Sequence, residues 1–571
     1  ATGVLEGGDI NSVIDVLLEE YITASQYDAW GETLADVVSD LSSDFNPIKK
    51  GDCNVTYTYS GKVQVPLSKD NYRLPSLVAV SFGEDSRTTK NISWYTKYSV
   101  TGCDIEIIPY SDMLPVFSGK TAVPKGVRVA ASSYRQTREY PGVDLGIIGI
   151  LPYEMELNRH VVKISGLKPG QQYLYRVGDA QKGWWSGIGV IKTAEGGDKT
   201  TFIAISDTQS QNAKQYENTT KILRQAFDLY KDADFIVHAG DMVDHGDNLN
   251  QWKYLLNGSD GTLMNTSLMP VAGNHEAMGS YALDLNFSLP QSEQQETIGG
   301  YYYSFDYNNV HFMMLNTNEL DNIRGLTGNQ LTWLKNDAMS SDAPWKVVVL
   351  HKAVYSNGSH YDDKEITALR KQFASLMPQL GIDIVLQGHD HVYLRTAPMI
   401  GNKVQEGLNT GYLNYGGLDY SSYEEPEGTI YAITATAGVK YYSVKENSLT
   451  DELFPRAQSI VNAQAPIFAA IRTDGDTLYY DAYMQNGEGL DRIDSFAVSK
   501  VLPRYNLGDI NLDGKININD ARLLLRHAVG LEGLSNLQFM YADINGDGRI
   551  NIDDARKLLR VAVGLEVKGD N

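Results

Sequence analysis

Six short apolar runs, each breaking into polar residues at its carboxyl end, constrain this chain more than any other feature. They are TFIAISD, DFIVHAGD, MPVAGNHE, VHFMMLNT, WKVVVLH and DIVLQGHDH, spread over residues 201–391 with helical stretches between them. Alternating strands and helices specify an α/β sheet, and ligands of such sheets gather where the strands end. Strand ends carrying Asp, Asn and His therefore predict one shared site. The runs supply five motifs: Asp207-Thr208-Gln209, Gly240-Asp241-Met242-Val243-Asp244, Gly273-Asn274-His275-Glu276, His351 after VVVL, and Gly388-His389-Asp390-His391. Carboxylate, amide and imidazole donors without sulfur suit Zn, Fe or Mn. Two metals about 4 Å apart need a bridging ligand, and a carboxylate has two oxygens for that purpose.

In order, spacing and residue type the five motifs resemble the calcineurin-like metallophosphoesterases, and with the preceding β-rich region they look most like the purple acid phosphatase branch. The resemblance implies a four-layer α/β/β/α domain in which Asp241 bridges two metals. Asp207 and His391 would bind the first, with Gln209 as a weaker donor where many relatives carry His. Asn274, His351 and His389 would bind the second. His275 would be the acid for the leaving alkoxide. Metal-activated water would attack, so no Ser or Cys nucleophile is needed. The purple branch has Tyr three residues after the bridging Asp, but this chain has Asp244, which predicts a colourless protein. GD-x-x-D is similar instead to the protein Ser/Thr phosphatase pattern, in which that Asp orients the His of GNHE. His245, where those phosphatases carry a phosphate-binding Arg, and His360 in the loop SNGSHYDD are candidate substrate contacts; His238 and His311, inside strand runs, read as core.

Residues 509–532 and 543–566 repeat each other at 19 of 24 positions, the mark of one unit used twice. Each copy opens D-x-N-x-D-G and has Asp at loop position 12. Oxygen ligands at positions 1, 3, 5 and 12, with Gly at 6, are what Ca²⁺ requires. The loops offer Asp509, Asn511, Asp513, Asp520 and the Lys515 carbonyl, then Asp543, Asn545, Asp547, Asp554 and the Arg549 carbonyl. The pattern resembles dockerin domains, which implies two Ca²⁺ ions and a cohesin module of a scaffold protein as partner, as in a cellulosome. Ile518, Asn519, Ile552 and Asp553 occupy the recognition positions.

Between these landmarks the chain divides into an N-terminal helical segment (1–62, with helical spacing over 9–42), a β-sandwich (63–196), the catalytic domain (197–500) and the dockerin (508–571). Trp94 within ISWYT, and Leu167-Lys168-Pro169 ahead of Tyr173, resemble a fibronectin type III domain with its tyrosine corner; residues 118–157 read as an insertion. Cys53 and Cys103 leave a bridge and two separate thiols both open. A net charge of −22 without a basic block excludes a nucleic-acid-binding surface. No apolar run is long enough to span a membrane. Ala1 without an initiator Met reads as a secreted chain after signal removal, although a tag cut or truncation would look the same. The expected activity is phosphomonoester hydrolysis, with a phosphodiesterase or nucleotide hydrolase, or a non-catalytic phosphate- or glycan-binding subunit, as alternatives.

Overall fold

The computed structural model describes most of residues 74–110, 124–290, 301–444, 456–500 and 507–565, with backbone pairing alone over 124–156. The helical pair expected over 9–42, and Cys53, lie outside the described residues.

Two antiparallel sheets form the N-terminal sandwich. One orders Ser76–Phe82, Lys90–Lys97, Ile150–Ile164 and Ser132–Asp144; the other orders Trp184–Trp185, Gln172–Asp179, Asp104–Pro109 and Val127–Ala130, with Gly189–Lys192 also paired to Gln172–Asp179. Their inward residues, among them Val80, Ile92, Trp94, Ile105, Val162 and Tyr175, make one apolar cluster. The tyrosine corner forms: the Lys168 N–H donates to the Tyr173 hydroxyl at 2.8 Å. Part of the stretch expected as an insertion instead extends a sheet, since Ser132–Asp144 and Ile150–Ile164 pair along their length and Ser132 faces Val161.

The catalytic region packs an eight-stranded against a seven-stranded sheet. The first contains Lys199–Ile205, Phe235–His238 and Ser267–Pro270 as parallel neighbours; the second contains Val310–Met314, Trp345–Lys352, Ile384–Gly388 and Ile430–Thr434, also parallel. Aromatic contacts join the layers, Phe202 meeting Phe312 edge-on at 5.0 Å. Ala213–Leu229 buries Ile222, Leu223 and Ala226 in this core. Gly328–Ser340 and Lys364–Gln379 cover the second sheet through Leu334, Leu369, Phe373 and Met377. The result is the four-layer α/β/β/α order, and the parallel strands bring their carboxyl ends to one edge. His238 is buried at a strand end against Thr208 Oγ1 (3.0 Å), and His311 is buried between Asp306 (2.7 Å) and Asp337 (3.0 Å), so both are structural.

In the C-terminal repeat, Ile518–Ala528 and Ile552–Ala562 form matching helices. Asn517 and Asn551 cap them, with Asp520 and Asp554 completing capping boxes. Their small shared core is Ile510, Ala521, Leu524, Ala542, Ala555 and Leu558.

Candidate metal centre

The strand ends converge as expected. Asp207, Asp241 and His391 place ligand atoms within 4.8 Å of one another, and so do Asp241, His351 and His389. Asp241 belongs to both groups. His391 Nε2 lies 3.2 Å from Asp207 Oδ1, His351 Nε2 3.3 Å from Asp241 Oδ2 and 3.0 Å from Asn274 Oδ1, and His389 Nδ1 3.2 Å from His351 Nε2.

The backbone is distorted to achieve this. Asp207, Asp241 and His389 all have left-handed φ, at 54°, 55° and 73°, a conformation that costs free energy in residues other than Gly and concentrates at functional sites. Gly273 is required by close approach: a Cβ there would lie 2.0 Å from Asp241 Oδ1.

Hydrogen bonding on the far side of the imidazoles fixes which nitrogen is free. His351 Nδ1 donates to the Ala239 carbonyl at 2.9 Å and His391 Nδ1 to the Lys440 carbonyl at 2.7 Å. The Nε2 lone pairs therefore point inward at carboxylates, the arrangement found behind metal-binding histidines. Gln209 fits the same reading. Its amide nitrogen is 3.2 Å from Asp241 Oδ2 and 3.3 Å from His391 Nε2, while its buried Oε1 has no hydrogen-bond partner. A half-turn of the amide exchanges the two atoms and aims the oxygen at the same point. Converging lone pairs, buried carboxylates and an orphaned amide oxygen suit cations held between them. Burial would lower His351, but the adjoining Asp241 carboxylate overrides this and raises it to about 9. Burial would likewise raise Asp241, yet His351 and His275 hold it well below the ordinary carboxylate range.

His275 is oriented differently from expectation. Its Nδ1 donates to the Asp244 backbone carbonyl at 2.7 Å, whereas the Asp244 carboxylate is 3.8 Å away and is paired with Lys440 Nζ. The carbonyl, not the carboxylate, sets the ring, because the ammonium claims the carboxylate. His275 Nε2 faces the centre, 3.7 Å from Asp241 Oδ2. His245 is half-exposed, 3.9 Å from Asp244. His360 lies over His389 with ring centroids 4.1 Å apart, and its Nδ1 is 2.8 Å from Asp363.

Four contributors escaped the sequence reading. Glu276 accepts four backbone N–H groups beneath the centre. Asp390 holds the His360 loop by accepting from the N–H groups of Ser359 (2.7 Å) and His360 (3.1 Å). Lys440 supports His391 through its carbonyl and Asp244 through its ammonium, and Tyr442 stacks on His391 at 4.3 Å. The last two follow the strand Ile430–Thr434, whose end carries small residues and no metal-ligand type to draw notice.

In the dockerin-like loops, Asp520 accepts from the N–H groups of Asn511 (2.9 Å) and Asn517 (2.7 Å), and Asp554 from Ile544, Asn545 and Asn551. In the first loop Asp513 Oδ1 accepts from the Lys515 N–H and Asp509 Oδ1 from the Asp513 N–H. Ile518 and Ile552, at 57% and 55% exposure, stand at equivalent places on the surface, as a contact residue must.

Comparison with known proteins agrees with this architecture. Residues 200–393 match the calcineurin-like phosphoesterase family, residues 75–193 the purple acid phosphatase N-terminal domain, and residues 507–560 the dockerin type I domain. Human acid phosphatase type 7 is 25% identical over 346 residues, covering 57% of this chain and 72% of that protein. Purple acid phosphatase 23 of Arabidopsis thaliana is 27% identical over 352 residues, covering 54% and 72%. Among solved structures, the purple acid phosphatase PPD1 of yellow lupin superposes with a TM-score of 0.58 at 18% identity, over 75% of this chain and 74% of that one. Among the described residues no helix is long and apolar enough to cross a membrane.

Proposed function

We propose that this chain, a purple acid phosphatase-like metal-dependent phosphoesterase carrying a dockerin, is a dinuclear phosphatase that hydrolyses phosphomonoesters and is held outside the cell on a cohesin-bearing scaffold. The observation that carries the reading is Asp241, one buried carboxylate common to two groups of ligand atoms.

Asp207, Gln209 and His391 would hold one cation, Asn274, His351 and His389 the other, with Asp241 between them. Once bound, Fe, Zn or Mn ions would supply Lewis acidity for water and for the phosphoryl group. His275 moves the proton: its Nδ1–H is committed to the Asp244 carbonyl, which leaves Nε2, on the side facing Asp241, to protonate the leaving alkoxide. His245 and His360 flank the centre as contacts for phosphate oxygens. Two Ca²⁺ ions would be held in the C-terminal loops, the first by Asp509, Asn511, Asp513, Asp520 and the Lys515 carbonyl and the second by Asp543, Asn545, Asp547, Asp554 and the Arg549 carbonyl. Ile518, Asn519, Ile552 and Asp553 meet the cohesin.

The test is hydrolysis of a chromogenic phosphomonoester and its diester analogue, with metal content measured, beside Asp241→Asn. About two metals per chain and monoester turnover that vanishes in the variant support the proposal. Preference for the diester moves it to the phosphodiesterases. A chain that retains no metal when Zn, Mn and Fe are supplied is a binding subunit.

A further inference from the structure

The position bounded by Asp207, Gln209, Asp241 and His391 is poor in charge. Its anionic donors are Asp207 and Asp241, and Asp241 is shared with the neighbouring position. The His391 imidazole and the Gln209 amide are neutral donors. A third carboxylate, Asp244, lies in the turn that carries Asp241, with Oδ1 3.8 Å from His275 Nδ1, but Lys440 Nζ donates a charge-assisted hydrogen bond to that Oδ1. The pair is sheltered, with side-chain exposure of 12% for Asp244 and 31% for Lys440. Lys440 is itself fixed in place, because its carbonyl accepts from His391 Nδ1 at 2.7 Å and Tyr442, two residues on, stacks on the His391 ring.

We propose that Lys440 determines metal specificity: by keeping the Asp244 carboxylate as its own ion-pair partner, it restricts the first cation position to divalent ions. The proposal rests on the dinuclear reading above and adds the charge state of one of its ions. Buried charge is tolerated only when matched. With two carboxylates, one of them shared, the position is already short of negative charge for a divalent ion, and a trivalent ion widens that shortfall by one unit, which a released Asp244 carboxylate would offset. The Lys440 ammonium also repels a cation in proportion to that cation's charge. Both effects favour the divalent ion, and both disappear with the ammonium.

The experiment titrates the metal-free full-length chain with Zn(II) and with Ga(III), a redox-inert trivalent probe, by calorimetry and by metal content after desalting. The wild-type chain should retain about two zinc ions and exchange neither for gallium. Lys440→Met leaves the backbone carbonyl on His391 but removes the ammonium. In that variant the gallium-to-zinc affinity ratio should rise on the order of tenfold, as expected for one unit of positive charge removed beside the centre, with uptake of gallium at one position. Lys440→Gln should shift the ratio the same way, which guards against a packing fault peculiar to Met. The double variant Asp244→Asn, Lys440→Met should return to the wild-type preference, since the released carboxylate is gone. Wild-type uptake of gallium at one position, or variants that bind both zinc ions with unchanged preference, would overturn the role of Lys440 alone. A wild-type chain that cannot hold two zinc ions would overturn the dinuclear reading and this proposal with it.

Discussion

The Glu276 carboxylate accepts the backbone N–H of Asp241 at 2.8 Å, which ties the two motifs that meet at the centre. Its remaining capacity is used on Gly273 N (2.8 Å), Met242 N (2.9 Å) and Val243 N (3.2 Å). Only an ionised carboxylate can accept all four, because an amide presents two N–H groups of its own. Glu276→Gln should therefore turn donors against donors under a residue already held at φ 55°. The expected loss is about 2–3 kcal/mol of stability, with weaker metal retention, read by urea unfolding and metal analysis. A variant as stable as the parent, with its metals in place, would refute the role given to Glu276.

Gln209 offers a gain rather than a loss. Its Oε1 is buried without a partner beside Asp241 and His391, and an imidazole is the better donor for Zn or Fe. Gln209→His should tighten the first cation and Gln209→Ala should loosen it, as measured by competition with a chromophoric chelator. Equal affinities in all three chains would place Gln209 outside the coordination sphere.

The sequence was most informative where structure is local or where chemistry restricts residue type. The tyrosine corner joins positions five apart, Lys168 and Tyr173, so its spacing could be read directly. The strand-end motifs were readable because polar side chains after apolar runs are costly unless something uses them. Lys440 was not readable: it meets Asp244 across 196 positions, and nothing in TAGVKYY marks it. Glu276 lay within a recognised motif, yet its work is done on backbone N–H groups, which appear only once the Asp241 turn has its conformation. Asp244 was assigned to His275 through its side chain, and only the competing ammonium explains why its carbonyl has that task.

Calcium removal should affect one end of the molecule. The dockerin has a core of a few residues, so ion binding is a large part of its folding free energy. Chelation should abolish cohesin binding and the circular-dichroism signal of two 11-residue helices, while the strand signal of the other domains persists. Asp520→Ala with Asp554→Ala should do the same in saturating calcium, because each carboxylate both completes a loop and caps a helix. Unchanged helicity in that double variant would show that the repeat folds without its ions.

Two buried histidines should bound the stability profile from opposite sides. His160 lies in the sandwich, stacked on Trp94 at 5.1 Å with Nε2 2.6 Å from Thr96 Oγ1, and burial lowers it from 6.5 to about 4. Below pH 6.5 the unfolded chain takes up this proton and the folded chain does not, so stability falls as pH drops toward 4. His311 is the reverse case. Burial alone would lower it, but hydrogen bonds to Asp306 and Asp337 raise it to about 9. Its stabilisation is complete below pH 6.5 and is lost as pH rises through 9. Each shift corresponds to at most about 3 kcal/mol, less for His311 because the Asp306 side chain is 45% exposed and solvent screens it. Unfolding midpoints measured from pH 4 to 9.5 should thus fall at both ends, the sandwich being the more acid-sensitive part. His160→Phe should flatten the acid limb and leave the alkaline limb alone, and His311→Gln should do the opposite. If either substitution shifted the whole profile without changing its slopes, that histidine would contribute packing but no proton linkage.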